Sequence, residues 1–109
     1  MSHERFDECI QACNDCAIAC EHCASACLGE GHATAMAACI RLDRDCADLC
    51  RWAATLMARG SSYATALCAV CAEVCEACAA ECARHDAAHC QQCAVACRQC
   101  AEACRRMAA

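Results

Sequence analysis

Eight pairs of cysteines stand four residues apart in this chain: 9/13, 16/20, 23/27, 46/50, 71/75, 78/82, 93/97 and 100/104. Four residues make about one helical turn, so each pair would set two thiols on one helix face. Thiolates are soft ligands that select Cu(I), Zn²⁺ or iron–sulfur clusters. With metal–sulfur bonds of about 2.3 Å, taking zinc as the guide, a linear S–metal–S unit spans about 4.6 Å. Two thiolates one turn apart reach that span by rotamer choice alone. A single helix could then supply a complete two-coordinate site, which suits Cu(I).

The pairs belong to longer series whose steps alternate four and three. Cys9, Cys13, Cys16, Cys20, Cys23 and Cys27 form the first, Cys68, Cys71, Cys75, Cys78 and Cys82 the second, and Cys90, Cys93, Cys97, Cys100 and Cys104 the third. That alternation is the seam of a packed helix, which normally carries Leu, Ile and Val. The chain has no Pro and only 3 Gly, Ala is abundant, and β-branched and aromatic residues are scarce. The class expected is all-α. At 109 residues the chain is read as one domain. Its hydrophobic fraction of 61% is largely Ala and Cys, too little large apolar volume for an ordinary core.

Four helices are predicted, at about 3–28, 32–59, 62–84 and 87–107. Ser2 is placed to cap the first, and Gly29-Glu30-Gly31 and Gly60 to end the first and second. Short connections favour an antiparallel four-helix bundle with a cysteine-lined core. The second helix has only Cys39, Cys46 and Cys50, with Leu42, Leu49 and Leu56 at heptad spacing as its cohesive part. Its thiol columns continue through His32, Met36 and Asp43. His85 extends the third series three residues beyond Cys82, and His89 flanks the fourth. The topology gathers His32, Met36, His85 and His89 at one end, as candidate mouth or accessory metal ligands. It sends Phe6, Trp52, Leu56, Met57, Tyr63 and Met107 to the other, with Phe6, Trp52, Met57 and Met107 as an apolar plug. His3 and His22 are assigned to solvated surface. Three roles stay open for Asp43: metal ligation, pairing with Arg44 or Arg84, or a place at the rim.

Other chemistries fit less well. Nineteen cysteines in a small secreted protein would suggest disulfides. Helical i,i+4 neighbours, however, hold Cβ atoms about 5–6 Å apart, and a relaxed disulfide needs about 3.8 Å. Bacterial iron–sulfur motifs run C-x₂-C-x₂-C, and two successive three-residue steps never occur here. Zn²⁺ in Cys₄ sites would leave two excess negative charges per site, with no Arg on the seam to offset them. If each thiolate bridges two metals, about one monovalent ion per cysteine leaves a nearly neutral core. The net charge is −5, with no Lys and scattered Arg, so nucleic acid is not an expected partner. MSHERFDECIQAC lacks a basic n-region and an apolar h-region, and no apolar run reaches membrane-spanning length. The expected compartment is the cytosol, where thiols stay reduced.

The three cysteine seams, the CxxxC pairs and the His-rich end resemble the bacterial cysteine-rich copper storage proteins, in their cytosolic branch. The resemblance spans essentially the whole chain. It implies a four-helix bundle filled with Cu(I), assembly into a homotetramer, and copper uptake at an open end where His and Met supplement Cys. It places all nineteen cysteines, Cys39, Cys46 and Cys50 included, at inward metal-binding positions. No cysteine is singled out as a nucleophile beside a base, so a binding protein is expected rather than an enzyme. A general thiolate sink for Zn²⁺ or Cd²⁺ and a redox-structural bundle remain as alternatives.

Overall fold

The computed structural model describes residues 3–31 and 33–108. His32 and Ser2, the expected mouth residue and cap, lie outside the described residues. A short 3₁₀ turn, His3–Phe6, leads into α1, Asp7–Gly29. Three further helices follow: α2, Ala37–Ala58; α3, Ala64–Ala83; and α4, Ala88–Ala108. No strand occurs among the described residues, and none of these helices is long and apolar enough to cross a membrane.

Glycine ends the helices where backbone geometry demands it. Gly60, at φ +67, follows the last turn of α2. Its N–H bonds to the Met57 carbonyl, and the Ser61 N–H reaches back to Leu56. This is a Schellman closure, which satisfies carbonyls that the helix leaves orphaned. Gly31, at φ +76, plays the same conformational part after α1. At the end of α3 the Gln91 side chain donates to the Ala83 and His85 carbonyls, covering that terminus from α4.

Sulfur contacts fix the topology. Cys9 near the start of α1 meets Cys104 near the end of α4, and Cys23 meets Cys90 at their other ends. Cys50 late in α2 meets Cys71 early in α3, and Cys39 meets Cys82. The four helices therefore run up and down in alternation, in a body 47 × 19 × 18 Å. The second helix starts later than the spacing suggests, because residues 33–36 form turns. Cys39 already lies level with Cys82, one residue before the end of α3. Helix before Ala37 would overrun its neighbour, and a short helix without a packed face is not stable. Met36 sits just before α2 with its side chain buried.

The core is sulfur walled by alanine. Eighteen cysteines are 0% exposed and Cys9 is 2% exposed. Ala17, Ala24, Ala47, Ala54, Ala72, Ala79, Ala94 and Ala101 are buried beside them and let the helices approach closely. Leu42, Leu49 and Leu56 are half-buried and pack on the edge of this core. The apolar plug is smaller than expected. Phe6 and Met57 are buried and Met107 is half-buried, but Trp52 is 59% exposed, and Tyr63, sent to the same end, is 74% exposed. Outside, Arg51 bridges α2 to Glu21 of α1, and Arg105 grips Glu76 of α3 with two hydrogen bonds.

Candidate metal centre

The helical repeat fixes what the thiols can do. Within α1, α2, α3 and α4, the pairs 16/20, 46/50, 78/82 and 100/104 each hold their Sγ atoms 4.0 Å apart. Two thiolates at 120° around one ion, with bonds of about 2.3 Å, would stand about 4.0 Å apart. The pairs are thus set for a shared ion before any backbone moves.

The same sulfurs gather across helices. Cys13, Cys71, Cys100 and Cys104 form one group with all ligand atoms within 4.8 Å of one another. Cys16, Cys46, Cys50 and Cys75 form a second, and Cys16, Cys20, Cys46 and Cys97 a third. Cys20, Cys78, Cys93 and Cys97 form a fourth, and Cys23, Cys27, Cys39 and Cys90 a fifth. Cys16, Cys46, Cys20 and Cys97 each belong to two of these groups. Closed Cys₄ zinc sites would need separate sets of ligands, whereas shared thiols are what bridging clusters of monovalent ions need.

Neighbour follows neighbour along the whole bundle. Cys9 stands 3.6 Å from Cys104, which stands 3.7 Å from Cys13. The line continues through Cys100, Cys50, Cys46 and Cys16 at steps of 3.6–4.0 Å. Cys97, Cys20 and Cys93 follow at 3.6–3.7 Å. Here the ladder has one rung that is not sulfur. Asp43 Oδ1 accepts from Cys93 at 3.4 Å, from Cys78 at 3.3 Å and from Cys82 at 3.4 Å. Beyond it, Cys82 meets Cys39 at 3.5 Å, and Cys39 belongs to the group at the histidine end.

Asp43 is fully buried, so it does not sit at the rim. Nor does it face an arginine, since Arg44 reaches Glu21 and Arg84 reaches Glu81. Burial pushes its carboxyl up to about 7, and the neighbouring Cys93 adds to the shift. Burial likewise drives the Cys27 and Cys39 thiols upward and brings Cys90 up to about 11. Such thiols hold their protons until a metal displaces them.

Of the candidate mouth residues, His89 is the most directly placed. Its Nδ1 lies 3.4 Å from Cys23 Sγ and 3.6 Å from Cys90 Sγ. A trigonal ion held by one nitrogen and two sulfurs would separate N from S by about 3.8 Å. The Nε2 of His89 is 2.8 Å from the Glu30 carboxylate. Since a carboxylate accepts, Nε2 carries the proton and Nδ1 presents its lone pair to the sulfurs. His85 is held in the same way, with Nε2 2.8 Å from Glu81. His22, assigned to the surface, is exposed but lies edge-on to His89 with ring centroids 6.3 Å apart. Met57, read as plug, has its Sδ 3.6 Å from Cys68 Sγ, so it also closes the far end of the thiol column. The Glu81–His85 pair was visible as an i,i+4 spacing. Glu30 was not, because it reaches His89 across the bundle.

The description Csp, copper storage protein, fits the chain over residues 2–109 as a family model. The chain belongs to the copper storage protein family. Among solved relatives of this family, the Cu(I)-bound copper storage protein BsCsp3 is 51% identical, with a TM-score of 0.91 over 94% of this chain and 97% of that one. A cytosolic copper storage protein from Streptomyces lividans, holding five coppers, is 43% identical, with a TM-score of 0.92 over 97% and 93% of the two chains. The Bacillus subtilis cysteine-rich protein YhjQ is 51% identical over 72 residues, 65% of this chain and 67% of that one. The four-helix fold expected from the cysteine periodicity is the fold of the solved relatives.

Proposed function

We propose that this copper storage protein fills its core with Cu(I)–thiolate clusters, about one ion per cysteine, using all nineteen cysteines as ligands. The observation that carries the reading is the sharing of Cys16, Cys20, Cys46 and Cys97 between neighbouring ligand groups. Bridging thiolates and monovalent ions leave the core close to neutral. Divalent ions in Cys₄ sites would not, and all nine arginines are exposed and far from offsetting them. Asp43 serves as an oxygen ligand in the middle of the column. His89 and His85 receive copper at the mouth, with Met36 and, by its place in the sequence alone, His32 as accessory ligands. Each ion displaces thiol protons, so uptake releases protons and weakens as pH falls. The protein acts as a binding store and not as an enzyme. The cytosol is its proposed compartment, in keeping with the Streptomyces lividans relative, and a homotetramer its proposed assembly.

An anaerobic Cu(I) titration of the reduced protein against a chromophoric chelator tests this. Saturation near one ion per cysteine is expected. Saturation at about four ions or fewer, with Zn²⁺ competing well, would point to discrete Cys₄ sites and overturn the reading.

A further inference from the structure

The histidine end is the expected mouth, yet every cysteine there is sealed. Cys23, Cys27, Cys39 and Cys90 are all 0% exposed, and His89 stands over Cys23. Cys9, at the opposite end, is buried as well, at 2% exposed, but it lines a cavity. The plug there is only half a plug. Met57 closes it over Cys68 on the α2 and α3 side, and Phe6 is buried at the same end with the Arg5 guanidinium lying over its ring. On the α1 and α4 side a cavity of about 220 Å³ remains, bounded by Asp7, Glu8, Ala103, Arg106 and Met107, with Cys9 in its lining. Behind Cys9 stands Cys104 at 3.6 Å, and from Cys104 the sulfur ladder runs into the core.

We propose that this cavity is a second copper port, where a small amino-acid-like thiol trades Cu(I) with Cys9 and Cys104. The inference rests on the proposed thiolate-filled core. The occupant is a thiol because a soft donor is what competes with thiolate for Cu(I). It is small because the cavity falls below the range of about 300–1,000 Å³ that takes drug-sized ligands. It is amino-acid-like because Arg5 and Arg106 can meet a carboxylate, while Glu8 can meet an ammonium. The exchange balances without redox change. Two incoming thiols give their protons to the Cys9 and Cys104 sulfurs, and Cu(I) leaves as the bis-thiolate complex. In the reverse direction the same port loads the core.

Two measurements test the port, and the first needs no copper. Brief anaerobic alkylation of the reduced, metal-free protein with iodoacetamide, followed by peptide mapping, should label Cys9 about tenfold ahead of Cys23, Cys27 and Cys90. Labelling that begins at the histidine end would overturn the proposal. In the second, L-cysteine draws Cu(I) from the loaded protein, and bathocuproine disulfonate traps what is released. Glu8→Trp and Met107→Trp crowd the cavity, and Cys9→Ser removes its thiol. Each should slow release about fivefold. Release from all three at the parent rate sinks the port. A core that saturates at four ions or fewer would instead sink the proposed function, while the alkylation pattern would still decide whether Cys9 is open.

Discussion

The two ends of the bundle are built from the same four helices, yet they offer solvent different atoms. Where α1 gives way to α2, the outermost donors are imidazoles, each with its Nε2 held by a glutamate, and the thiols lie behind them. At the far end, half the opening is closed by Phe6 and Met57, and the other half leads to Cys9 itself. Imidazole is a weaker match than thiolate for Cu(I), so under the proposed function an ion taken up by His89 would be drawn inward by Cys23 and Cys90. A thiol that lines a cavity, as Cys9 does, would in the proposed port exchange with ligands of its own kind. The contrast separates receiving an ion from trading one.

Breaking the plug gives the largest effect that holds at every pH. Phe6→Ala removes a buried aromatic ring from the closed half of the far end and should cost about 3 kcal/mol, the low end of the range for such truncations. Denaturant unfolding of the metal-free protein measures it. Iodoacetamide should then label Cys68 as readily as Cys9, erasing the difference between the two halves of that end. A loss below about 1 kcal/mol would mean that Phe6 seals nothing.

The next test lies between the ends. Because burial raises the Asp43 carboxyl to about 7, the folded metal-free protein favours its protonated form. That contribution is fully present below the unfolded carboxyl range, near pH 4, and is lost as pH rises toward 7. Asp43→Asn should therefore be more stable than the parent at pH 8, by a few kcal/mol at about 1.4 kcal/mol per pH unit of separation. The gap should close by pH 4. Thermal melts across that window check it, and a gap that stays constant with pH would remove the buried charge as its cause.

The smallest effects sharpen the histidine end. In stopped-flow loading, His85→Ala with His89→Ala should slow uptake about tenfold. Glu30→Ala should slow it about threefold, since Glu30 is partly exposed and holds His89 only through Nε2. Glu30→Gln, whose amide oxygen still accepts a hydrogen bond, should restore most of the rate. Uptake indifferent to all of these would move the receiving site away from the imidazoles.

Much of this was legible in the cysteine spacing. Steps of four and three put Cys9 through Cys27 on one helix face, and the structure buries them all. The glycine stops at Gly31 and Gly60 were equally readable, because positive φ suits no other residue as well. The flanks of the seam were not. With thiols at heptad positions a and e, positions b and d lie symmetrically, each about 80° from the centre of the thiol face at about 100° per residue. Spacing could not say that Ala17 and Ala24 would be buried while Leu42 and Leu49 remained half out. Size does not decide it, since Ala12, Ala19 and Ala26 at position d are half-buried too; the side on which neighbouring helices approach does. Trp52 and Tyr63 were sent to the right end of the bundle by topology, but topology does not say which way a side chain faces. Asp43 was visible as a break in a thiol column, yet its freedom from arginine needed the packing of α1 and α3 against α2.

The sealing of the thiols also decides how the empty protein meets peroxide. Eighteen cysteines are 0% exposed, and Cys9, which lines the cavity, would be the first that an oxidant reaches. A sulfenic acid formed there has the Cys104 thiol 3.6 Å away, near enough to condense with it into a disulfide and release water. Damage would begin as one bond stapling α1 to α4 across the open half of the far end. It would leave seventeen of the nineteen thiols reduced behind it.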